Sequence, residues 1–337
     1  WSADGKGFYY SRYPKPKEGA ALEDQNYYQA LWYHRLGDSQ EKDEKVLDFP
    51  EHKEWGAGGG VTDDGRYLIA SMWKGTGHEN LVWFKDLQPE AAAGRGWGSG
   101  GEAPGNNDPK SAWVKPVDAW EAEYSFIDNI GTTFYFKTDK DAPRGRVVSI
   151  DVSKKPLAWK EVIPQGPDAM GGGVGLVGGF FTVDYLKDAR HVAQVFSLEG
   201  KLVKNVDLPG IGSVEGGYGK RGDTETFFSF TGFTTPSIIY RYDLTTHTAS
   251  VFQAPKLKFD PSKFETKQVF YPSKDGTKVP MFLTYKKGLK LDGNNPTFLY
   301  GYGGFNNAVT PSFSSSVVVW MELGGVYAVA NIRGGSE

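Results

Sequence analysis

The sequence predicts a mostly β protein, in which an array of short antiparallel sheets is followed by the beginning of a parallel sheet. Its 44 glycines, 21 phenylalanines, 18 tyrosines and 10 tryptophans are typical of short aromatic strands separated by tight turns, because aromatic side chains suit pleated sheets and glycine permits positive φ. A strand–turn–strand unit recurs along the chain, and this pattern changes after Phe252. These observations predict two domains of different architecture.

The recurring unit consists of an aromatic or β-branched strand, a turn containing Asp-Leu or Gly, and a second strand. Its spacing settles to about 45 residues, the length of a four-stranded β-propeller blade. Asp-Gly turns at residues 4–5 and 64–65 precede a basic residue and an apolar strand, as expected at the entry to an inner blade strand. We predict about five blades, in an array that begins before Trp1. The recurring strands lie at residues 31–37, 82–87, 147–151, 192–198 and 238–244.

Two segments interrupt the strands. Residues 91–109 are rich in Gly, Ala and Asn, and we predict a flexible excursion between blades in which Trp97 covers a neighbouring edge. Residues 254–267 contain two prolines and several lysines and are predicted to form a linker. The blades then occupy residues 1–253, and the N-terminal part of a second domain occupies residues 268–337.

The second domain begins with a predicted hairpin whose tip is the Asp-Gly turn at residues 275–276. An apolar strand at 296–300, a helix-compatible stretch from 312 to 323 and another apolar strand at 326–332 follow. A strand, a helix and a second apolar strand make a βαβ unit, so a parallel sheet is predicted to begin here.

Composition excludes several classes of function. The 38 basic and 41 acidic side chains are interspersed and give a formal charge of -3, so no broad positive field is available for nucleic acid or an anionic membrane. The absence of cysteine excludes disulfides, thiolate metal ligands and a thiol nucleophile. No apolar run reaches the ~20 residues of a membrane span, so we expect a soluble protein. We also expect a monomer. The compartment is left open between cytoplasm and periplasm. Because neither Trp1 nor Glu337 resembles a natural terminus, we expect a piece of a longer protein.

Two glycine motifs and the histidines do not indicate a cofactor or a metal. The stretches at 173–178 and 217–222 match Gly-x-Gly-x-x-Gly, but each leads into a β run and not into the helix N-terminus that binds a dinucleotide. We interpret both as blade turns. The Arg-Gly-Asp triplet at 221–223 is also interpreted as part of a blade turn and not as an adhesion motif. The histidines are isolated from one another, so no metal site is predicted and each is interpreted as structural. They are His34, His52, His78, His191 and His247.

One stretch is a candidate for chemistry: Tyr-Gly-Tyr-Gly-Gly-Phe-Asn at residues 300–306, placed after a buried strand and before a helix. At that position an α/β-hydrolase carries a loop that supplies a donor to the oxyanion hole, and small residues let the donor approach the carbonyl. The alternative is a glycine turn with packed aromatic residues. Spacing alone leaves both interpretations open.

The tail of the chain resembles the prolyl oligopeptidase family at residues 271–282, 299–306 and 328–335. Propeller segments agree as well, at residues 8–10, 63–67 and 230–236, so the resemblance covers nearly the whole chain. It implies a β-propeller with several blades, truncated at the N-terminus, followed by the start of an α/β-hydrolase domain. Within the tail, Gly304-Phe305-Asn306 favours the proline-specific branch over the oligopeptidases that cleave at basic residues.

The resemblance also implies roles for individual residues. Tyr302 is expected to be the side-chain donor of the oxyanion hole, and Phe305 to line the pocket for the proline ring, with hydrophobic core as the alternative for Phe305. Trp73 is a candidate substrate-binding residue of the propeller. Trp73, Gly56 and Thr76 differ from the family's usual forms near that pocket, and Ser336 replaces a glycine after Arg-Gly-Gly, so the subsite preference is left open.

The function that the resemblance implies is a serine oligopeptidase that cleaves short peptides on the carboxyl side of proline through an acyl-enzyme, with the propeller restricting access. The catalytic serine, aspartate and histidine are assigned to segments after Glu337, so the chain alone is expected to be inactive. The alternative is a β-propeller binding module whose hydrolase site is degenerate or absent. A downstream Gly-x-Ser-x-Gly elbow followed by Asp and His would distinguish the enzyme from the binding module.

Overall fold

The computed structural model of the protein describes residues 1–16, 19, 26–87 and 112–335. The predicted excursion at 91–109 with Trp97, and Ser336, lie outside the described residues. Contacts divide the chain into two compact units. The first comprises residues 1–142 and 147–161, and the second comprises residues 143–146 and 162–337.

Three antiparallel sheets are formed by the described residues between Gly7 and Ile163, and each is assembled from strands in chain order. The first contains β1 (Gly7–Arg12), β2 (Ala30–Arg35) and β3 (Glu44–Leu47). The second contains β4 (Trp55–Val61), β5 (Tyr67–Lys74), β6 (Asn80–Asp86) and β7 (Val114–Val117). The third contains β8 (Tyr124–Ile130), β9 (Thr133–Thr138), β10 (Arg146–Asp151) and β11 (Trp159–Ile163).

Aromatic side chains form the core between the second and third sheets. The ring of Phe134 lies 4.8 Å from that of Tyr67 and 5.0 Å from that of Phe84, in both cases edge to face. Such edge-to-face pairs are favourable beyond the apolar area that they bury. The aromatic composition noted in the sequence therefore contributes directly to the packing of one sheet on the next.

A buried carboxylate ties the first sheet to the loop before β3. The side chain of Asp43 is 1% exposed and accepts hydrogen bonds from the Tyr10 hydroxyl and, at 2.7 Å, from Nδ1 of His34. Burial alone raises the pKa of Asp43, but the hydrogen bonds from Tyr10 and His34 outweigh it and hold that pKa below its ordinary value. Burial, and then donation to Asp43, raise the pKa of Tyr10.

We predict that Asp43→Ala lowers the free energy of unfolding by about 2 to 3 kcal/mol, because the partly buried groups of Tyr10 and His34 lose their shared acceptor. Urea unfolding measures the loss. Asp38→Ala is the control, since Asp38 is more exposed and forms an exposed pair with Lys42 at 3.7 Å, and it should change stability by less than about 0.5 kcal/mol. Equal losses in the two variants would contradict a structural role for the Asp43 network.

Two more antiparallel sheets follow in the second unit. One contains β12 (Ala169–Val177), β13 (Phe180–Lys187), β14 (Arg190–Ser197) and β15 (Leu202–Asn205). The other contains β16 (Ser213–Tyr218), β17 (Glu225–Gly232), β18 (Thr235–Asp243) and β19 (Thr248–Gln253). The described residues before 254 thus form five sheets, four of them with four strands, and the predicted number of blades is confirmed.

The two glycine motifs were only partly interpreted correctly. As predicted, a strand follows each of them, but Gly173 and Gly175 lie inside β12 and Gly217 lies inside β16, not in turns. A Cβ on Gly175 would lie 2.4 Å from the Gly217 carbonyl oxygen. The glycines therefore permit close approach of two neighbouring strands, which the sequence pattern cannot distinguish from a turn.

The last sheet contains β20 (Phe264–Pro272), β21 (Lys278–Lys286), β22 (Thr297–Gly301) and β23 (Val326–Ala330), in the order β20-β21-β23-β22. Strands β22 and β23 are parallel and are connected through α1 (Ser315–Glu322). The predicted βαβ unit is therefore present. Among the described residues, no helix is long and apolar enough to cross a membrane.

Two predicted boundaries in this region differ from the structure. The helix is shorter at both ends than the predicted stretch from 312 to 323. Strand β20 begins within the segment predicted as a linker, because Phe264 is 4% exposed and packs with Val318 and Met321 of α1. The domain division at residue 268 itself stays a prediction.

An apolar cluster joins the last sheet to the two preceding ones within the second unit. Phe282 of β21 and Val329 of β23 are fully buried and pack with Phe233 and Ala189, which lie in turns of the preceding sheets. The Ser213 hydroxyl also donates to the carbonyl oxygen of Pro311 at 2.7 Å. These contacts fix the position of the last sheet, and hence of its loops, against the two blades before it.

Candidate functional site

The candidate loop begins where β22 ends. Gly301, the last residue of β22, pairs with Ala330 of the parallel strand β23. Because the carboxyl ends of parallel strands meet at one edge of a sheet, residues 302–307 and 331–335 leave that edge side by side. In open α/β sheets this edge is where ligands bind.

Backbone contact between glycines packs these two loops together. A Cβ on Gly303 would lie 2.3 Å from the Arg333 carbonyl oxygen, and one on Gly334 would lie 2.7 Å from the Gly303 carbonyl oxygen. The Asn306 amide donates to the Gly334 carbonyl at 3.1 Å. Gly334 also has a φ of +100°, which disfavours any residue with a side chain. The loop that carries Tyr302 thus rests directly on the backbone of its neighbour.

Arg333 connects this pair of loops to the tip of the β20–β21 hairpin. Its guanidinium donates to Oδ2 of Asp275 at 2.6 Å and to the Ser273 hydroxyl at 3.3 Å. Donation by the Thr277 backbone amide and by Arg333 lowers the pKa of Asp275 to about 2. Both charged side chains are about half exposed, so solvent screening keeps their energetic contribution small and the contact acts mainly on geometry.

Tyr302 is 40% exposed and borders a cavity of about 260 Å³. Pro167–Ala169 and the turn between β13 and β14 also line this cavity. Asn331 also lines the cavity, and its side-chain amide is buried without a hydrogen-bond partner among the described residues. Asn331 was not among the residues predicted from the sequence, although its place directly after β23 was a signal that could have identified it.

Phe305 is 97% exposed and has a φ of +53°. This left-handed conformation is uncommon for a residue with a side chain and requires support from the surrounding backbone. The adjacent Asn306, which is hydrogen-bonded to Gly334, is also left-handed. Phe305 is therefore not part of a hydrophobic core formed by the described residues, and the choice between a core position and a pocket position in the longer protein stays open. A role in a proline pocket stays a prediction.

Trp73 lies in β5, in the first compact unit, whereas Tyr302 and Phe305 lie in the second. Trp73 pairs with Gly56 across β4 and β5, and its indole ring covers Gly56. A Cβ on Gly56 would lie 2.4 Å from Cε2 of Trp73. Glycine at position 56 is thus explained by the position of the indole. The proposed contact of Trp73 with substrate stays a prediction.

The fold and the site together define the class of protein. Blades of antiparallel strands precede a sheet with a parallel βαβ crossover, so a β-propeller is followed by the start of an α/β-hydrolase domain. The family model described as the N-terminal beta-propeller domain of prolyl oligopeptidase matches residues 1–255. The chain therefore belongs to the prolyl oligopeptidase family.

Relatives are similar to the chain over its whole length. It is 39% identical over 338 residues to a prolyl endopeptidase of Elizabethkingia meningoseptica, and this covers 100% of the chain and 44% of the relative. It is 34% identical to a dual function macrocyclase-peptidase of Galerina marginata, covering 45% of that protein. The structure of prolyl oligopeptidase B from Galerina marginata bound to a 35mer hydrolysis and macrocyclization substrate matches with a TM-score of 0.88 at 32% identity, covering 99% of the chain and 45% of the neighbour. The chain thus spans less than half the length of these proteins.

Two adjacent glycines allow the loop contact to be tested. We predict that Gly303→Ala destabilises the second unit by about 1 to 3 kcal/mol, because its methyl group would overlap the Arg333 backbone. Gly304→Ala is the matched control, since its nearest contact would be the Tyr302 hydroxyl at an ordinary 3.6 Å. Thermal unfolding and amide hydrogen exchange of residues 302–307 measure the effect. Indistinguishable variants would show that the loops are not held by this contact.

Proposed function

We propose that the protein containing this chain is a serine oligopeptidase that hydrolyses short peptides on the carboxyl side of proline, and that its propeller restricts access to the active site. The observation that carries the proposal is the position of Tyr302. In a chain that belongs to this family, the hydroxyl-bearing side chain of Tyr302 lies at the carboxyl edge of the parallel strands, beside a cavity. Short proline-containing peptides are the proposed substrates. We also propose that the protein containing this chain acts as a monomer and needs no cofactor.

In this proposal the Tyr302 hydroxyl donates a hydrogen bond to the oxyanion that forms when the scissile carbonyl is attacked. Only an interaction stronger in the transition state than in the ground state accelerates the reaction. A donor held in place before reaction stabilises the developing charge without a cost of reorganisation. The backbone contact of Gly303 with Arg333 supports such preorganisation, because it restricts the residue directly after Tyr302.

The exposed ring of Phe305 is the proposed apolar wall for the proline ring of the substrate. A prolyl amide has no N–H to donate, so recognition depends on shape and apolar contact more than on hydrogen bonds. The left-handed backbone at Phe305 and Asn306 presents the ring outward from a loop anchored on Gly334. Tyr302 and Phe305 are then two functional groups of one loop. Trp73 is proposed as a contact contributed by the propeller.

The role of Tyr302 predicts the kinetics of Tyr302→Phe in the protein that contains this chain. We expect kcat to fall on the order of 10²–10³-fold with KM little changed, because the lost hydrogen bond forms only in the transition state. Tyr300→Phe is the control: Tyr300 is similarly exposed on β22, and its kcat should stay near that of the wild type. Melting temperatures of both variants are measured on the same preparations, and an unchanged kcat for Tyr302→Phe would remove Tyr302 from the oxyanion hole.

Phe305→Ala tests the proposed proline pocket separately. Because Phe305 is 97% exposed, its removal should leave the unfolding free energy within about 0.5 kcal/mol of the wild type. The value of kcat/KM for a proline substrate should fall roughly tenfold or more, as expected when apolar contact worth 1–3 kcal/mol is lost. Phe270→Ala, at a half-exposed phenylalanine of β20, should leave kcat/KM unchanged. A fall in stability without a fall in kcat/KM would assign Phe305 a structural role.

A further inference from the structure

A second cavity lies within the second unit, between the sheet β12–β15 and the sheet β16–β19. Its volume is about 410 Å³, which lies within the range of small-molecule sites. None of its lining residues borders the cavity beside Tyr302. Its chemistry can therefore be considered independently of the proposed peptidase activity.

Small side chains leave this space between the two sheets. Ala193 and Val195 of β14 line the cavity from one sheet, and Gly217 of β16 lines it from the other. Between the second and third sheets, by contrast, the rings of Tyr67 and Phe134 meet edge to face. Because protein interiors are normally packed to the density of organic crystals, a cavity of this size is a specific property of the side chains that line it.

The cavity opens between two bulged strands. The pairing register of β12 shifts between Met170 and Val174, and that of β16 shifts between Gly216 and Tyr218. The lining residues Gly172, Gly216 and Tyr218, which lie at these shifts, are exposed. Bulges bend a strand and interrupt its ladder, and they are common next to functional sites. The exposed lining at the two bulges therefore forms the entrance of the cavity.

The buried part of the cavity wall is formed by side chains that carry no charge. Val195, Phe228 and Tyr242 are at most 7% exposed, whereas the carboxylates belong to Asp184, which is half-buried, and to Glu215, which is exposed. Among the described residues that line the cavity there is no lysine or arginine to bind a carboxylate or a phosphate. Burying an isolated charge among apolar side chains is costly, so the wall favours a neutral and largely apolar ligand.

Tyr242 contributes a hydroxyl group to this apolar wall. Its side chain is 2% exposed, and its hydroxyl is buried without a hydrogen-bond partner in the part of the chain that the structure describes. The Thr226 hydroxyl, opposite Tyr242 across β17 and β18, donates instead to the Tyr218 carbonyl at 2.8 Å. Burial, and then the negative charge of Asp207, raise the pKa of Tyr242 to about 12, so the phenol keeps its proton at neutral pH.

A buried hydroxyl without a partner opposes folding, and a phenylalanine at position 242 would avoid that cost. The phenol therefore suits a role that a phenylalanine cannot fill, the donation of a hydrogen bond to a molecule inside the cavity. Such a molecule needs an oxygen atom that accepts this bond, and an apolar ring for the surrounding valines and phenylalanine.

We propose that this cavity binds a neutral aromatic molecule whose carbonyl oxygen accepts a hydrogen bond from the Tyr242 hydroxyl. The ring of the ligand packs against Val195 and Phe228, where contact between two aromatic rings adds to the gain from burial. The same chemistry is offered by a free aromatic ketone and by a phenylalanine residue of a peptide. The site and the peptidase loop at Tyr302 use different residues, so either proposal can fail without the other.

Two probes of the same length test the hydrogen bond: 4-phenylbutan-2-one carries a carbonyl group, and butylbenzene lacks it. The chain is titrated with the ketone in a calorimeter, and the affinity of the hydrocarbon is measured by its displacement of the ketone. We expect saturable binding of the ketone at one site, from which butylbenzene displaces it. An absence of saturable ketone binding to the folded chain overturns the proposal.

A third probe, N-acetyl-phenylalanine amide, distinguishes the sources of the ligand. It presents the same ring beside the carbonyl groups of a peptide residue. Displacement of the ketone by this amide supports the proposal with a peptide phenylalanine as the ligand, and saturable ketone binding without displacement supports it with a free aromatic molecule.

Tyr242→Phe locates the hydrogen bond. It should weaken binding of the ketone by about fivefold, as expected for one buried hydrogen bond, and leave the affinity for butylbenzene unchanged. The melting temperature should not fall, because the hydroxyl that is removed has no partner among the described residues. Tyr240→Phe is the matched control: Tyr240 lies on the same strand, stacks on Phe228 and is not among the described residues that line the cavity. It should keep wild-type affinity for both probes.

Ala193→Leu tests the cavity itself, because a larger side chain at this lining position occupies the space of the ligand. It should weaken the binding of both probes, and it decides the location of the site if Tyr242→Phe does not fold. Wild-type ketone affinity in folded Tyr242→Phe, an equal loss of both probes in that variant, or wild-type affinity in folded Ala193→Leu would each overturn the proposal.

Discussion

The position of the candidate site depends on one apolar contact, the packing of Phe282 and Val329 against Phe233 and Ala189. Phe282 and Val329 have no measurable exposure, and the ring of Phe282 lies 5.5 Å from that of Phe233. Burying side chains of this size contributes about 1.5–3 kcal/mol each. The contact attaches the last sheet, whose outer strand β22 is largely exposed, to the two preceding sheets. Each of those two sheets is held together by its own hydrogen bonds. The loops of the last sheet that border the cavity at Tyr302 are held against the two preceding sheets through this contact.

Glycine acts in two physically different ways in this chain. At Gly5 and Gly65 it occupies positive φ in an Asp-Gly turn, a role that the dipeptide announces in the sequence. At Gly175 and Gly303 it permits the backbone of a distant segment to approach within the space of a methyl group. The second role depends on a partner many residues away. The strands that follow the Gly-x-Gly-x-x-Gly stretches were enough to distinguish these stretches from dinucleotide-binding loops. The placement of their glycines inside β12 and β16 could not be predicted, because it depends on those distant partners.

The architecture was predictable because its signals are local. The number of blades followed from the recurrence of aromatic strands, and the βαβ unit followed from the change of pattern after Phe252. Strand β20 begins at Phe264, inside the predicted linker, and this start was not predictable because the burial of Phe264 against Val318 and Met321 is a tertiary contact that the nearby prolines and lysines do not indicate. In the same way, Tyr302 could be singled out from a motif, whereas the contact of Arg333 with Asp275 joins residues that are 58 positions apart and has no signature in either segment.

The exposure of Phe305 gives the loop geometry a further consequence. The left-handed backbone at Phe305 is unfavourable for the folded chain, and a ring that is 97% exposed gains no burial energy to offset that cost. The contacts of Gly303 and Asn306 with the neighbouring loop offset that cost. The same contacts restrict the backbone on either side of Phe305. One of them is made by Gly303, the residue directly after Tyr302. Any change in the Arg333–Gly335 loop should therefore move the phenol and the phenyl ring together, which couples the two functions assigned to them, oxyanion stabilisation and recognition of proline.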